Sequence, residues 1–371
     1  MKTEIILNAK NLIGWKTDRK IIVFSVDDYG NVRLDSKAAR KELNKAGIPV
    51  ISRFDAFDTL ETKEDLEALY EVLTSAKDKN GNNAVFTPFA LPCNINFEKM
   101  RETGYKKYYY ELLPMTFEKL SIQQPSAYKG AWALLQEGIG KGLMVPLFHG
   151  REHLNLKALE EKLAAKDKEV LAALENRSYT SISSNGYKTI SPMAAFDFWE
   201  FKENKRFEEI IRDGLEAFKK VYGYKSDHFN APGGREHPAI HKTLKTGGVK
   251  YIDTPLLKRE HQGKGKYKTI FNYTGKKNEH GQIYLVRNVV FEPTDDRGVD
   301  WVSYAIKQIE AAFRWKRPAI ISSHRVNFCG HIDPENRNKG LKALQELLDR
   351  IVKRWPEVEF MAANELAGLI S

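Results

Sequence analysis

The chain has 371 residues, 42% apolar and 29% charged, a balance that suits a soluble protein with a full core. No run approaches the ~18 apolar residues that cross a bilayer, so a membrane role is set aside. The net charge of +10 comes from lysines scattered along the chain; without a basic tail or an aromatic–arginine motif, nucleic acid is not an expected partner.

The first sixteen residues, MKTEIILNAKNLIGWK, are interrupted by Glu4, Asn8, Lys10 and Asn11. They lack the apolar segment of a signal peptide, and the expected compartment is the cytoplasm. Two cysteines, Cys93 and Cys329, fit a reducing compartment; a disulfide between them has no support in the pattern.

Ile21 to Gly30, IIVFSVDDYG, reads as a buried parallel strand that delivers Asp27, Asp28 and Tyr29 to the carboxyl edge of a sheet or barrel. Neighbouring side chains on a strand face opposite ways, so one acid can hold a metal while the other takes a proton. The alternative is a plain strand followed by an Asx-rich turn.

Helices are predicted over Asp35–Lys45, with Asp35 as cap, and over Thr62–Lys77, opened by a capping-box TKED. Ala84–Thr87 is a short strand. Gly104–Gln124, rich in tyrosine and lysine, reads as a surface excursion with short helical pieces. Tyr128–Gln136 is helical. Leu143–Phe148 is the third strand and runs into HGREH, His149 to His153. A long helix is expected from about Leu156 to Asn176, then an irregular loop, Tyr179–Met193, on the active face.

Asn204–Tyr222 is a strongly amphipathic helix. Asp227–Ala231 is a strand, turned by Pro232, Gly233 and Gly234. His237–Thr246 is a helix and Val249–Asp253 a strand. Residues 256–287 alternate and carry YKTIFNY and QIYLV on either side of TGKKNEHG, which predicts a β-hairpin insertion. Val299–Trp315 is a helix, Ala319–Ser323 a strand ending in His324, Leu341–Val352 a helix and Val358–Ala362 a last strand. Strands alternate with helices throughout, the mark of an α/β protein with a parallel sheet or barrel. No Gly/Pro/Ser-rich linker interrupts 1–371, and one domain is expected.

His149 and His153 lie four apart where a strand gives way to a helix. If the helix starts at Gly150–Leu154, both imidazoles share a face and can share a metal; the alternative is two polar residues in an exposed turn. Parallel strands end on a common rim, where a carboxylate and two imidazoles make a three-ligand site with room for water. His324 ends another apolar strand and is a candidate acid. His228, His237, His241, His261, His280 and His331 lack that strand-end setting.

An apolar strand with Asp-Asp-x-Gly, then His-x-x-x-His, an Ala-Pro-Gly turn and a strand ending in His resembles the polysaccharide deacetylases of carbohydrate esterase family 4, with their NodB homology domain. The likeness runs from Ile21 to the closing EFMAANEL. It implies a distorted (β/α) barrel and a metal-dependent hydrolase that removes N-acetyl groups from a carbohydrate. It implies Asp27 as general base, Asp28, His149 and His153 as ligands of a divalent ion, and His324 as general acid. The Gly233 N–H would hold the oxyanion, with Asn230 and Tyr29 at the oxyanion and substrate site.

Asp253 falls near the family's later Asp-containing motif. One carboxylate and two imidazoles suit zinc; cobalt, nickel, manganese or iron also fit. Three departures mark a divergent member. Asn230 replaces the arginine that orients the base, with Arg235, Arg151 and Arg325 as candidate substitutes. Leu154 replaces a proline, and a glycine replaces the aromatic after Pro232. The alternatives are an amidase acting on a small non-sugar amide, and a carbohydrate-binding protein that has lost turnover.

Overall fold

Strand β1, Ile21–Tyr29, is buried along its whole length. Its side chains alternate between two apolar clusters: Ile22, Phe24 and Val26 face the larger one, under the helices, while Ile21 and Val23 face a smaller inner one with Phe89, Leu147, Leu285 and Ile320. A β-branched run buried on both faces forms the middle of a parallel sheet. The computed structural model describes residues 2–180 and 190–370.

The remaining strands are β2 Phe86–Ala90, β3 Cys93–Ile95, β4 Tyr110–Leu112, β5 Leu147–Phe148, β6 His228–Asn230, β7 Tyr251–Asp253, β8 Leu257–His261, β9 Tyr267–Phe271, β10 Ile283–Leu285, β11 Val289–Val290, β12 Ala319–His324 and β13 Glu359–Phe360. Nine of them form one sheet in the order β10-β7-β6-β5-β2-β1-β12-β11, with β13 also paired to β1. Every pairing in it is parallel. The two ends of that order, β10 and β11, are joined by only three residues, 286–288. Such a link spans at most about 14 Å, so the sheet must curl until its edges nearly meet. The result is an incomplete (β/α) barrel with flanking helices, as expected.

The long helices follow their apolar faces. Asn204–Tyr222 forms as predicted and ends at Gly223. Lys63–Ser75 begins with the capping box of Thr62 and Asp65. Ser36, not Asp35, caps the helix Lys37–Lys45. The expected helix 156–176 is two, Leu156–Ala164 and Lys168–Glu175, because Lys166 turns the chain at φ 53° and Asp167 caps the second. Gly104–Gln124 is no mere surface excursion. It supplies β4 and the helix Leu113–Gln123, whose Leu113, Phe117 and Leu120 are in the core.

The insertion at 256–287 differs in its partners. Its hairpin pairs β8 with β9, Leu257 opposite Phe271. QIYLV is instead buried and joins the main sheet beside β7, Ile283 opposite Tyr251. Burial decides this: β9 is largely exposed, whereas Ile283, Tyr284 and Leu285 are covered. Cys93 and Cys329 are both buried and free. Among the described residues no helix is long and apolar enough to cross a membrane. Of the loop expected at Tyr179–Met193, residues 181–189 lie outside the described residues.

Candidate active site

β1 loses its regular pairing with β2 between Val26 and Tyr29, and Asp28 there takes φ 77°. Aspartate tolerates this left-handed conformation better than most residues. The irregularity overrides strict alternation, and Asp27 and Asp28 line the same cleft of about 270 Å³. Gly30 follows at φ 76°, where a Cβ would lie 2.5 Å from the Leu91 carbonyl oxygen. The exit of β1 is clamped from below. The Gly30 N–H donates to Glu61 (3.2 Å), and Asn94 bridges the Gly30 carbonyl and the Val32 N–H (2.9 and 2.8 Å). Glu61 is in turn held by fully buried Arg325 (3.0 Å).

Asp28, His149 and His153 offer ligand atoms within 4.8 Å of one another. Asp28 Oδ1 lies 3.5 Å from His149 Nε2 and 3.0 Å from His153 Nε2. The two histidines do not share a helix face, as the expectation had it. Gly150 turns the chain at φ 104°, and the helix starts only at Leu156, capped by Asn155. The loop itself carries the two rings to a centroid separation of 5.3 Å.

His149 Nδ1 is 2.9 Å from the Asn230 carbonyl oxygen. That contact makes Nδ1 the protonated nitrogen and aims the Nε2 lone pair at Asp28. Nε2 is buried and has no hydrogen-bond partner among the described residues. An imidazole oriented by a carbonyl, with its other nitrogen bare beside a carboxylate and a second imidazole, fits a divalent ion.

Asp27 is held differently. Arg287 grips it with two hydrogen bonds, Nη1 to Oδ2 at 2.7 Å and Nη2 to Oδ1 at 2.8 Å, and Asn230 Nδ2 adds a third at 2.9 Å. Burial pushes the Asp27 carboxyl upward, but the Arg287 guanidinium outweighs it and holds the group below the usual carboxylate range. Arg287 Nε donates to Asp253 Oδ1 (3.1 Å). The Asp253 carboxyl is pushed up by burial, against the pull of Arg287.

His324 closes the cleft. Its Nε2 is 4.0 Å from Asp27 Oδ2, and its Nδ1 is 2.7 Å from Glu292 Oε1. Glu292 is also paired with Arg53 and accepts from Asn327 Nδ2 (2.8 Å). Burial alone would lower the His324 pKa. The Glu292 carboxylate, helped by Asp28 and Asp27, overrides that and raises it to about 9.

Gly233 and Gly234 line the same cleft. In that turn Pro232 has no N–H and Gly234 N–H returns to Ala231 O (2.8 Å); the remaining amide is that of Gly233. Tyr29 is not at the site. It is 3% exposed, sits in the larger core cluster and does not line the cleft. The bulge that swings Asp28 to the rim leaves the Tyr29 ring facing inward to the helices.

None of the proposed arginine substitutes reaches Asp27. Arg235 pairs with Asp197 (2.8 Å), Arg151 with Glu152 and Asp213 (2.7 and 2.6 Å), and Arg325 with Asp58 and Glu61 (2.7 and 3.0 Å). The arginine that does reach Asp27 is Arg287, two residues past β10. Glu292, two residues past β11, is the other residue that sequence reasoning missed. Both lie just past strand ends; reading QIYLV as half of a hairpin hid Arg287, and the two-residue β11 before Glu292 was not predicted as a strand.

No protein-family model matches the chain, and no curated protein matches it. Solved structures do resemble its fold, at low identity. A 4-alpha-glucanotransferase from Thermococcus litoralis is 11% identical with a TM-score of 0.45; the likeness covers 95% of this chain but 40% of that one. A probable polysaccharide deacetylase from Pseudomonas aeruginosa PAO1 is 10% identical over 94% of this chain and 90% of that one, with a TM-score of 0.45. A family 4 acetyl xylan esterase from Clostridium thermocellum, solved in complex with a cobalt ion, is 10% identical over 94% and 91%, with a TM-score of 0.36.

Proposed function

We propose that this chain is a metal-dependent hydrolase of carbon–nitrogen bonds that removes an N-acetyl group from a carbohydrate. The carrying observation is His149 Nε2, buried and without a hydrogen-bond partner among the described residues, facing Asp28 and His153, while the neighbouring Asp27 carboxylate accepts three hydrogen bonds and keeps a lone pair for a fourth. Asp28, His149 and His153 hold the ion. A bound divalent cation polarises a carbonyl and brings the pKa of water toward neutrality.

Asp27, fixed by Arg287 and Asn230, accepts the proton of the attacking water. The Gly233 N–H takes the oxyanion as the carbonyl becomes tetrahedral. His324, kept protonated by Glu292, gives its proton to the leaving nitrogen, and the C–N bond breaks to acetate and a free amine. Zinc is the first choice for this donor set, with cobalt, nickel, manganese or iron as alternatives. The proposed catalytic unit is the whole chain, acting in the cytoplasm, with no nucleic-acid or membrane partner.

The cleft volume of about 270 Å³ is at the low end for ligand pockets, which run from roughly 300 Å³ upward. This favours, as a second reading, a small linear or cyclic amide that is not a sugar. Elemental analysis followed by acetate release tests both, using N-acetylated mono- and oligosaccharides beside a panel of small amides. The reading expects one divalent ion per chain and acetate from at least one sugar. Turnover of small amides alone would move it to the second reading; bound metal with every amide intact would leave a binding protein.

A further inference from the structure

The cleft that gathers Asp28, His149 and His153 is also lined by two guanidiniums, those of Arg33 and Arg235, to which the proposed reaction gives no task. Apart from Asp27 and Asp28, no acid among the described residues lines it. Each guanidinium has a carboxylate behind it. Arg33 Nη2 is 2.9 Å from Asp55 Oδ1, and Arg235 Nη1 is 2.8 Å from Asp197 Oδ2. In both pairs the acid is the deeper partner: side-chain exposure is 13% for Arg33 against 4% for Asp55, and 40% for Arg235 against 0% for Asp197. Each pair is therefore a dipole with its positive end toward the cleft. Phe54, also in the cleft wall, fixes where Arg33 stands. The Arg33 guanidinium carbon is 5.3 Å from the centre of the Phe54 ring, and the same ring meets His324 edge-on at 5.3 Å. Arg33 is thus one ring away from the group that protonates the leaving nitrogen, on the amine side of the scissile bond. Asp55 takes one of the five N–H donors that a guanidinium carries. A stacked guanidinium keeps its plane fixed and its edge free to grip a carboxylate or phosphate.

We infer that the amine half of the substrate carries an anionic group, a carboxylate or a phosphate, which Arg33 holds across Phe54 from His324 while Arg235 adds to the attraction. The scissile amide itself is taken from the hydrolase reading, on which this rests. A neutral substituent gains little from two positive dipole ends, whereas an anion gains from both. The attraction is strongest at Arg33, because water screens a nearly buried charge far less than an exposed one.

Three ligands test this by calorimetry and by turnover: N-acetylglucosamine, its 6-phosphate, and N-acetylmuramic acid, which adds a carboxylate. At least one anionic member is expected to bind roughly tenfold or more tighter than the neutral sugar, the worth of one charge-assisted hydrogen bond, and which one does so tells phosphate from carboxylate. The calorimetry is run on the zinc-loaded and on the zinc-free protein, because an anion can also be caught by the metal. A preference carried by the arginines persists without zinc. Arg33→Gln combined with Asp55→Asn removes both charges of the buried pair, and Arg235→Gln removes the cation nearer the rim; the first should cut the preference to below about threefold and the second should reduce it less. Near-equal or absent binding of both anions, a preference that vanishes with the zinc, or one that survives both variants overturns the assignment. An anion preference without any hydrolysis supports the assignment and sinks the proposed reaction; hydrolysis without a preference does the reverse.

Discussion

The two halves of the cleft stand in opposite electrostatic conditions. On one side Asp28, His149 and His153 converge, yet His149 Nε2 has no hydrogen-bond partner among the described residues. On the other side Asp27 accepts three hydrogen bonds from Arg287 and Asn230, and His324 Nδ1 is occupied by Glu292. On the proposed reading the first half is where a divalent cation would sit. In the second, the chain itself orients both groups, Asp27 through Arg287 and Asn230 and His324 through Glu292. Such a division implies that binding of the ion and proton transfer can be damaged separately.

The largest test of that separation is Asp27→Asn. It should lower kcat by ~10²–10⁴, the usual worth of a general base, while metal content stays unchanged. Loss of the ion together with activity would show that the halves are one unit. Next comes Arg287→Met. It leaves Asp27 and Asp253 buried without their counter-charge, and breaking a buried pair costs about 3–5 kcal/mol. Denaturant unfolding should register a loss of that order, and turnover should fall by less than in Asp27→Asn.

Glu292→Gln probes the acid. His324 must carry a proton to donate it, and its pKa of about 9 keeps it protonated through neutral pH. Without the carboxylate the pKa falls, so the alkaline limb of the kcat profile should move to lower pH. The linkage has the same sign. The folded pKa is raised above the unfolded value of about 6.5. The stabilisation is therefore complete below that pH and disappears as the pH climbs through about 9. In the variant, stability should lose this dependence across the same window. The smallest effect is expected from Tyr29→Phe, a near-isosteric change in the core that should cost under ~1.5 kcal/mol and leave kcat nearly unchanged. A large kcat loss there would return Tyr29 to the site.

That Asp28, His149 and His153 would come together was legible because VDD follows the apolar run IIVFS and HGREH follows PLF. Such runs are parallel strands, and parallel strands share a rim. The route by which His153 arrives was not legible, since its loop depends on a φ of 104° at Gly150 rather than on helical spacing. Nor could strand alternation foresee that Asp27 and Asp28 turn to one cleft, because the bulge at Asp28 is a tertiary outcome held by Glu61, Asn94 and Arg325.

Arg287 was missed for a different reason. Alternation in QIYLV suits an exposed hairpin and a buried edge strand alike, and only packing against β7 selects the second. The cation that holds Asp27 thus comes from a strand end 57 residues past Asn230, where nothing local marks it as a partner of Asp27.

The most direct test is the coordination shell of the bound ion. X-ray absorption on the metal-loaded protein should show two imidazole nitrogens and a carboxylate oxygen at about 2.0–2.2 Å, and His149→Ala should no longer hold the ion. An ion that persists in His149→Ala with an unchanged shell, or a shell containing sulfur, would contradict the account.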